Sequence, residues 1–117
     1  MMNVHDLAAA CGFTYYNGET LNGGAVGGAY CCDLLSWVIG RAGDGDALVT
    51  VMSNPNVIAV AVMADLPCVI LSEGVKPDDK AMEKAKDNDV IVLSSPWTTY
   101  ETAVKINGVL KAAGDRE

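Results

Sequence analysis

Aromatic residues are scarce: Phe occurs once, Trp twice and Tyr four times, 6% of 117 residues, although half of the chain is hydrophobic. A core must then be built from Ala, Val, Leu, Ile and Met, which suits packed α/β layers. Basic residues are few, eight Lys and Arg against fifteen Asp and Glu, for a net charge of −7, and they are spread along the chain. A protein that reads the phosphate backbone carries a clustered basic surface, so nucleic acid is excluded as a partner. No run reaches the ~18 apolar residues of a membrane span, and the start of the chain lacks the basic and apolar regions of a signal peptide. The expectation is a cytoplasmic protein with no membrane partner.

Metal-ligand spacing is missing as well. Four cysteines are present, Cys11, Cys31, Cys32 and Cys68, but no C-x-x-C or C-x(2–4)-C pair that zinc and iron–sulfur sites use. They read as reduced structural thiols, with Cys31 and Cys32 pointing to opposite faces if they lie on a strand. Five glycines between Gly18 and Gly28 suggest a phosphate loop, yet no lysine precedes Lys76 and neither G-x-x-x-x-G-K-[ST] nor G-x-G-x-x-G occurs, so they read as turn residues. No cofactor is expected. At this length residues 1–117 make one domain, large enough to fold without metal or disulfide.

What is present is a unit repeated three times: a continuous apolar run, then a serine among turn-forming residues. Ala47–Met52 leads into Ser53-Asn54-Pro55-Asn56, Cys68–Leu71 into Ser72-Glu73-Gly74-Val75-Lys76-Pro77, and Val90–Leu93 into Ser94-Ser95-Pro96. Apolar runs without alternation mark strands covered on both faces, which belong to parallel sheets with helices on either side. The fold expected is α/β, a small parallel-core sheet with covering helices. Parallel strands would bring all three serine turns to one carboxyl edge, where open α/β sheets hold ligands. Helix starts there would add free N–H groups and Lys76 a positive charge. The candidate ligand-binding set is therefore Ser53, Asn54, Asn56, Ser72, Lys76, Ser95 and Thr98.

Along the chain, Asn3 caps a first helix whose buried stripe is Val4, Leu7, Ala8 and Cys11, with Gly12 as its left-handed stop. The lone histidine, His5, falls on the exposed side of that helix and reads as a surface imidazole rather than a base. Phe13–Tyr16 is a short strand ended by Asn17-Gly18, and Gly28–Cys32 another. Asp33 can cap a helix whose apolar face is Leu34, Leu35, Val38, Ile39 and Ala42, leaving Trp37 and Arg41 off the stripe. Val and Ile in 56–65 favour strand while its length and alanines permit a buried helix; a helix lets the flanking strands pair in parallel, and is the reading adopted. Pro77 opens a further helix to Asn88 with Ala81, Met82 and Ala85 inside. Thr98 and Glu101 form a capping box for a closing helix with Thr99, Ala103, Ile106, Leu110 and Ala113 on one face, ended by Gly114 before a tail of Asp115-Arg116-Glu117.

Taken together, Asp33-Leu34-Leu35-Ser36, Thr50–Asn56, Gly74-Val75-Lys76-Pro77 and Ser94–Thr99 resemble the DRTGG domain over nearly the whole chain, although the five-residue motif that names the family does not occur. The resemblance implies an α/β domain like the N-terminal domain of HPr kinase/phosphorylase, found alone or beside CBS domains, with a regulatory and self-associating role. Stand-alone members resemble accessory proteins of anaerobic bacteria. No kinase activity is expected, because the chain has no phosphate loop to hold ATP and Mg²⁺. Three readings stay open. One is a non-catalytic regulatory domain that forms a homodimer, Trp37 being its anchor, and binds a small anionic or nucleotide ligand at the carboxyl edge. The second is a pure interaction or accessory domain whose serines and Asn56 only cap helices. An enzyme is the third, with no evident dyad to support it.

Overall fold

The computed structural model describes residues 1–114; the expected tail, 115–117, lies outside them. In chain order the elements are β1 (Met2–Asn3), α1 (Val4–Cys11), β2 (Thr14–Asn17), β3 (Ala25–Val26), β4 (Gly28–Cys31), α2 (Leu35–Arg41), β5 (Asp46–Thr50), α3 (Pro55–Met63), β6 (Val69–Leu71), α4 (Asp79–Asp87), β7 (Val92–Ser94) and α5 (Thr99–Gly114).

The three apolar runs do become neighbouring parallel strands, in a five-stranded sheet of order β2-β7-β6-β5-β4. Strand β4 joins parallel at one edge and β2 antiparallel at the other. Val49 stands opposite Ile70, and Ile70 opposite Leu93. These three point into one core, closed by Val4, Leu7 and Ala8 of α1 and Ile106 of α5. Leu48, Val69, Leu71 and Val92, on the alternate positions, point into a second core closed by Val57, Ile58 and Ala61 of α3 and Ala81 and Ala85 of α4. Side chains alternate across a strand, so a strand with a core on each side must be apolar throughout. That is why the runs carry no polar alternation.

Local signals place most of the helix ends. Asn3 accepts from the His5 N–H, and Gly12 takes φ 76° as the left-handed stop, its N–H returning to Ala8 and Ala9. The buried residues of α1 are the four of the expected stripe. Within 56–65 the chain is helical as far as Met63, in a helix opened by Asn54, which accepts from the Asn56 N–H, with Pro55 in the first turn. Gly18 is required by its surroundings: at φ +98° a Cβ would lie 3.0 Å from the Ile91 Cα. The short strands β1 and β3 pair antiparallel and hold the glycine-rich segment against α1.

Three local readings need correction. Asp33 does not cap α2; Leu34 occupies that place without a side-chain bond, and the Asp33 carboxylate instead accepts from Thr50 Oγ1 at 2.7 Å and the Val51 N–H at 3.0 Å. The expected apolar face of α2 is not buried as a stripe, since only Val38 is enclosed while Leu34 and Ile39 are exposed. A seven-residue helix covering the last pair of strands has room to bury one position fully. Finally, α4 begins at Asp79, not Pro77, because the Asp78 side chain accepts from the Ala81 N–H at 2.7 Å and sets the start two residues later.

Candidate functional site

The parallel strands carry their serine turns to one edge, as expected, and the loops there are tied to one another. The Glu73 N–H donates to the Trp97 carbonyl, the Gly74 N–H to Ser95, and the Asp78 N–H to Ser53. Within this edge the seven expected residues divide by burial. Ser72 and Ser95 are fully buried. The Ser72 hydroxyl lies 2.7 Å from Thr99 Oγ1, and the Ser95 hydroxyl 2.7 Å from Thr102 Oγ1. Both tie the end of a strand to the first turns of α5. Ser53 and Asn54 are half-buried, whereas Asn56, Lys76 and Thr98 are exposed.

The helix starts at this edge are already capped by the protein. Asn54 takes the Asn56 N–H, Asp78 the Ala81 N–H, and Thr98 Oγ1 the Glu101 N–H, while Glu101 returns to the Thr98 N–H. Glu73, held at φ 61°, reaches across to accept the Thr99 N–H at 3.0 Å. Sequence reasoning missed Asp33 and Glu73 as organisers of the edge, because their partners lie 17 to 26 residues away and no local pattern marks them. The edge thus holds four carboxylates, those of Asp33, Glu73, Asp78 and Glu101, and one exposed ammonium, that of Lys76. Its polar groups are largely spent on each other, and its field is negative.

Neither buried serine has a base at hydrogen-bond distance. The neighbours of the buried serine hydroxyls are threonines, and neither can act as a base at neutral pH. His5 is satisfied, as the sequence suggested, though half-buried rather than fully exposed. Its Nδ1 is 2.5 Å from the Tyr15 hydroxyl and its Nε2 2.6 Å from the Leu21 carbonyl. A carbonyl only accepts, so Nε2 carries a proton toward Leu21. Burial, then Glu19 and Cys68, push the Tyr15 phenol above its ordinary value. Burial likewise raises the Cys11 thiol, with Lys105 opposing, and the Cys31 thiol, with Asp33 and Cys32 adding. Cys68, wholly enclosed, is pushed up to about 12. These thiols stay protonated at neutral pH, and among the described residues no three His, Cys, Asp or Glu side chains are grouped to hold a metal ion. Among the described residues no helix is long and apolar enough to cross a membrane.

Two concavities lie away from the carboxyl edge and include none of the seven residues. One, of about 530 Å³, opens at the amino edge between the segment Leu21–Ala25 and the helix ends at Asp65 and Asp89. The other, of about 360 Å³, runs between edge strand β4 and α5, where Ala29 and Cys31 face Ala103, Asn107 and Lys111.

The family model described as the DRTGG domain matches residues 8–109. No curated protein sequence matches the chain significantly. Among solved structures, the chain is similar to a crystal structure of the CBS and DRTGG domains of the regulatory region of Clostridium perfringens pyrophosphatase, complexed with its activator diadenosine tetraphosphate. The TM-score is 0.68 at 14% identity, covering 89% of this chain and 45% of that one. At that identity the likeness establishes the fold, and this chain spans less than half the length of its neighbour.

Proposed function

The chain belongs to the DRTGG domain family, and on that footing we propose that it is a non-catalytic regulatory domain that works by association, as a homodimer. The observation that carries this reading is apolar surface left uncovered. Leu34 is 51% exposed, Trp37 49% and Ile39 45%, on a helix that fully buries only Val38. Val62 and Met63 are exposed at the end of α3, which packs beside α2. Arg41 stacks over the Trp37 ring at 3.8 Å, on an indole that stays outside the core. Trp and Arg are the residue types most enriched at interface centres, and clustered exposed apolar side chains mark association surfaces. Sedimentation or light scattering at ~100 μM should give twice the 12.2 kDa monomer mass, since even a micromolar dimer is largely formed there. A monomer at that concentration would sink the homodimer.

A second reading adds a small anionic or nucleotide ligand at the carboxyl edge. It is favoured by the likeness to a regulatory region complexed with a dinucleotide activator and by the exposed polar groups of Asn56, Lys76 and Thr98. Ser53 and Asn54 complete that surface, and Ser72 and Ser95 support it from beneath. The self-capped helix starts and surrounding carboxylates weigh against tight binding of a multiply charged anion. In calorimetry with diadenosine tetraphosphate or ATP, Lys76→Ala should weaken any binding about tenfold, as expected for loss of a hydrogen bond to a charged group. Equal affinity of parent and variant would remove the ligand from this edge.

A further inference from the structure

Strand β4 ends the sheet with one side unpaired. The Cys32 N–H donates to the Val49 carbonyl, so the even-numbered residues of this stretch turn their backbone groups toward β5. In a strand the groups of Ala29 and Cys31 then point the other way, out of the sheet, where no further strand follows. Natural proteins blunt such an edge with proline, lysine, a bulge or a covering segment. Gly28-Ala29-Tyr30-Cys31 carries no proline or lysine and pairs with β5 in unbroken register.

The surface beside this edge continues across α5. Helix α5 starts at the carboxyl edge, where Thr99 and Thr102 meet Ser72 and Ser95, so its far end approaches the start of β4, and Lys111 lines the same groove as Gly27 and Gly28. Tyr100, 77% exposed, and Val104, 51% exposed, fall on the stripe of α5 that includes Ala103, Asn107 and Lys111, one to two turns apart. The apolar groove therefore carries a single charge, the positive one of Lys111, on a chain of net charge −7. The groove and the unpaired backbone thus form one surface, with a cation at one end.

We propose that this edge is where the homodimer forms, with β4 of a second copy pairing antiparallel to β4 about a two-fold axis at Tyr30, so that two five-stranded sheets join into one. The inference rests on the homodimer reading above, and it places the contact at the strand that leads directly into α2, the helix whose exposed Leu34 and Trp37 carry that reading. In this register Ala29 stands opposite Cys31 of the second copy and the reverse, so all the outward N–H and C=O groups of these residues are satisfied in hydrogen-bonded pairs. Tyr30 meets its own copy at the axis. Each Lys111, the one cation of its groove, is brought toward a second copy of net charge −7, and the two-fold repeats that attraction. Small side chains at Ala29 and Cys31 enter the partner's groove without clash. The contact is self-complementary and closed, as a two-fold interface has to be.

Ala29→Pro tests the pairing, because it deletes an N–H that points out of the sheet while leaving the β5 ladder intact. The expected result is a monomer at ~100 μM with a parent-like circular dichroism spectrum, while Lys111→Glu weakens the dimer about tenfold by turning two attractions into repulsions. A folded Ala29→Pro protein that still dimerises overturns the edge pairing and leaves self-association standing; a monomeric parent overturns both. Should Ala29→Pro not fold, Tyr30→Cys in a background of Cys31→Ser and Cys32→Ser decides instead. Directly opposed residues of a non-hydrogen-bonded pair are within disulfide reach, so mild oxidation should give a covalent dimer. Absence of that crosslink overturns the proposal.

Discussion

Ile70→Ala is expected to lower the unfolding free energy by about 2–5 kcal/mol, and Leu71→Ala by a similar amount. Successive residues on the central strand β6 face opposite ways, Ile70 into the core under α1 and α5 and Leu71 into the core under α3 and α4, and both are at most 1% exposed. Each truncation removes apolar contacts and leaves a cavity that packed neighbours fill only in part. Against a total stability of roughly 5–15 kcal/mol, either change is severe. Urea titration should show a lower midpoint with an unchanged slope for both variants, and Lys80→Ala on the solvated side of α4 should stay within ~0.5 kcal/mol of the parent. A sheet with one wet face would give a large loss at only one of the two core positions, and that outcome would refute the two-sided packing.

The second large effect concerns the paired hydroxyls of Ser95 and Thr102, both wholly buried. Thr102→Val should cost about 1–3 kcal/mol, because the Ser95 hydroxyl is then left with only the long 3.4 Å contact from the Trp97 N–H. Ser95→Ala should cost less, since a helical threonine can turn its hydroxyl to the carbonyl one turn back. The double variant Ser95→Ala with Thr102→Val leaves no orphaned hydroxyl, so its loss should fall short of the sum of the two single losses. Additive losses would mean that the pair is not an energetic unit. By contrast Lys76, exposed at the same edge, should be replaceable by alanine within ~0.5 kcal/mol, so stability separates the buried struts from the outward-facing groups.

A burial pattern of this kind was partly legible beforehand. Continuous apolar runs mean burial on both faces, and burial on both faces means a parallel sheet between helices; the three core strands, their shared edge and the helix at 55–63 follow from that logic. The caps at Asn3 and Thr98 were equally readable, because a cap is a contact between residues two or three apart, whereas α3 is capped by Asn54 and not by the expected Asn56, which lies inside the helix. The family was readable too, since several short motifs in order carry more information than any one of them.

What the chain alone could not reveal are the contacts that close across long separations. Asp33 has the look of a helix cap, but the fold sets it against Thr50, and the stronger bond from a hydroxyl and an N–H together wins. Ser72 and Ser95 look like ligand hydroxyls at a sheet edge, and whether they face solvent depends on where α5 lies, which nothing within a few residues of them states. The same holds for α2, whose amphipathic pattern describes a helix that could bury a stripe but not how much sheet remains for it to cover. Periodicity and caps are short-range properties and are written in neighbouring residues. Which strand is left at the edge, which hydroxyls are enclosed and which apolar faces stay open depend on the order of packing in three dimensions, and that order is decided only when the whole sheet is assembled.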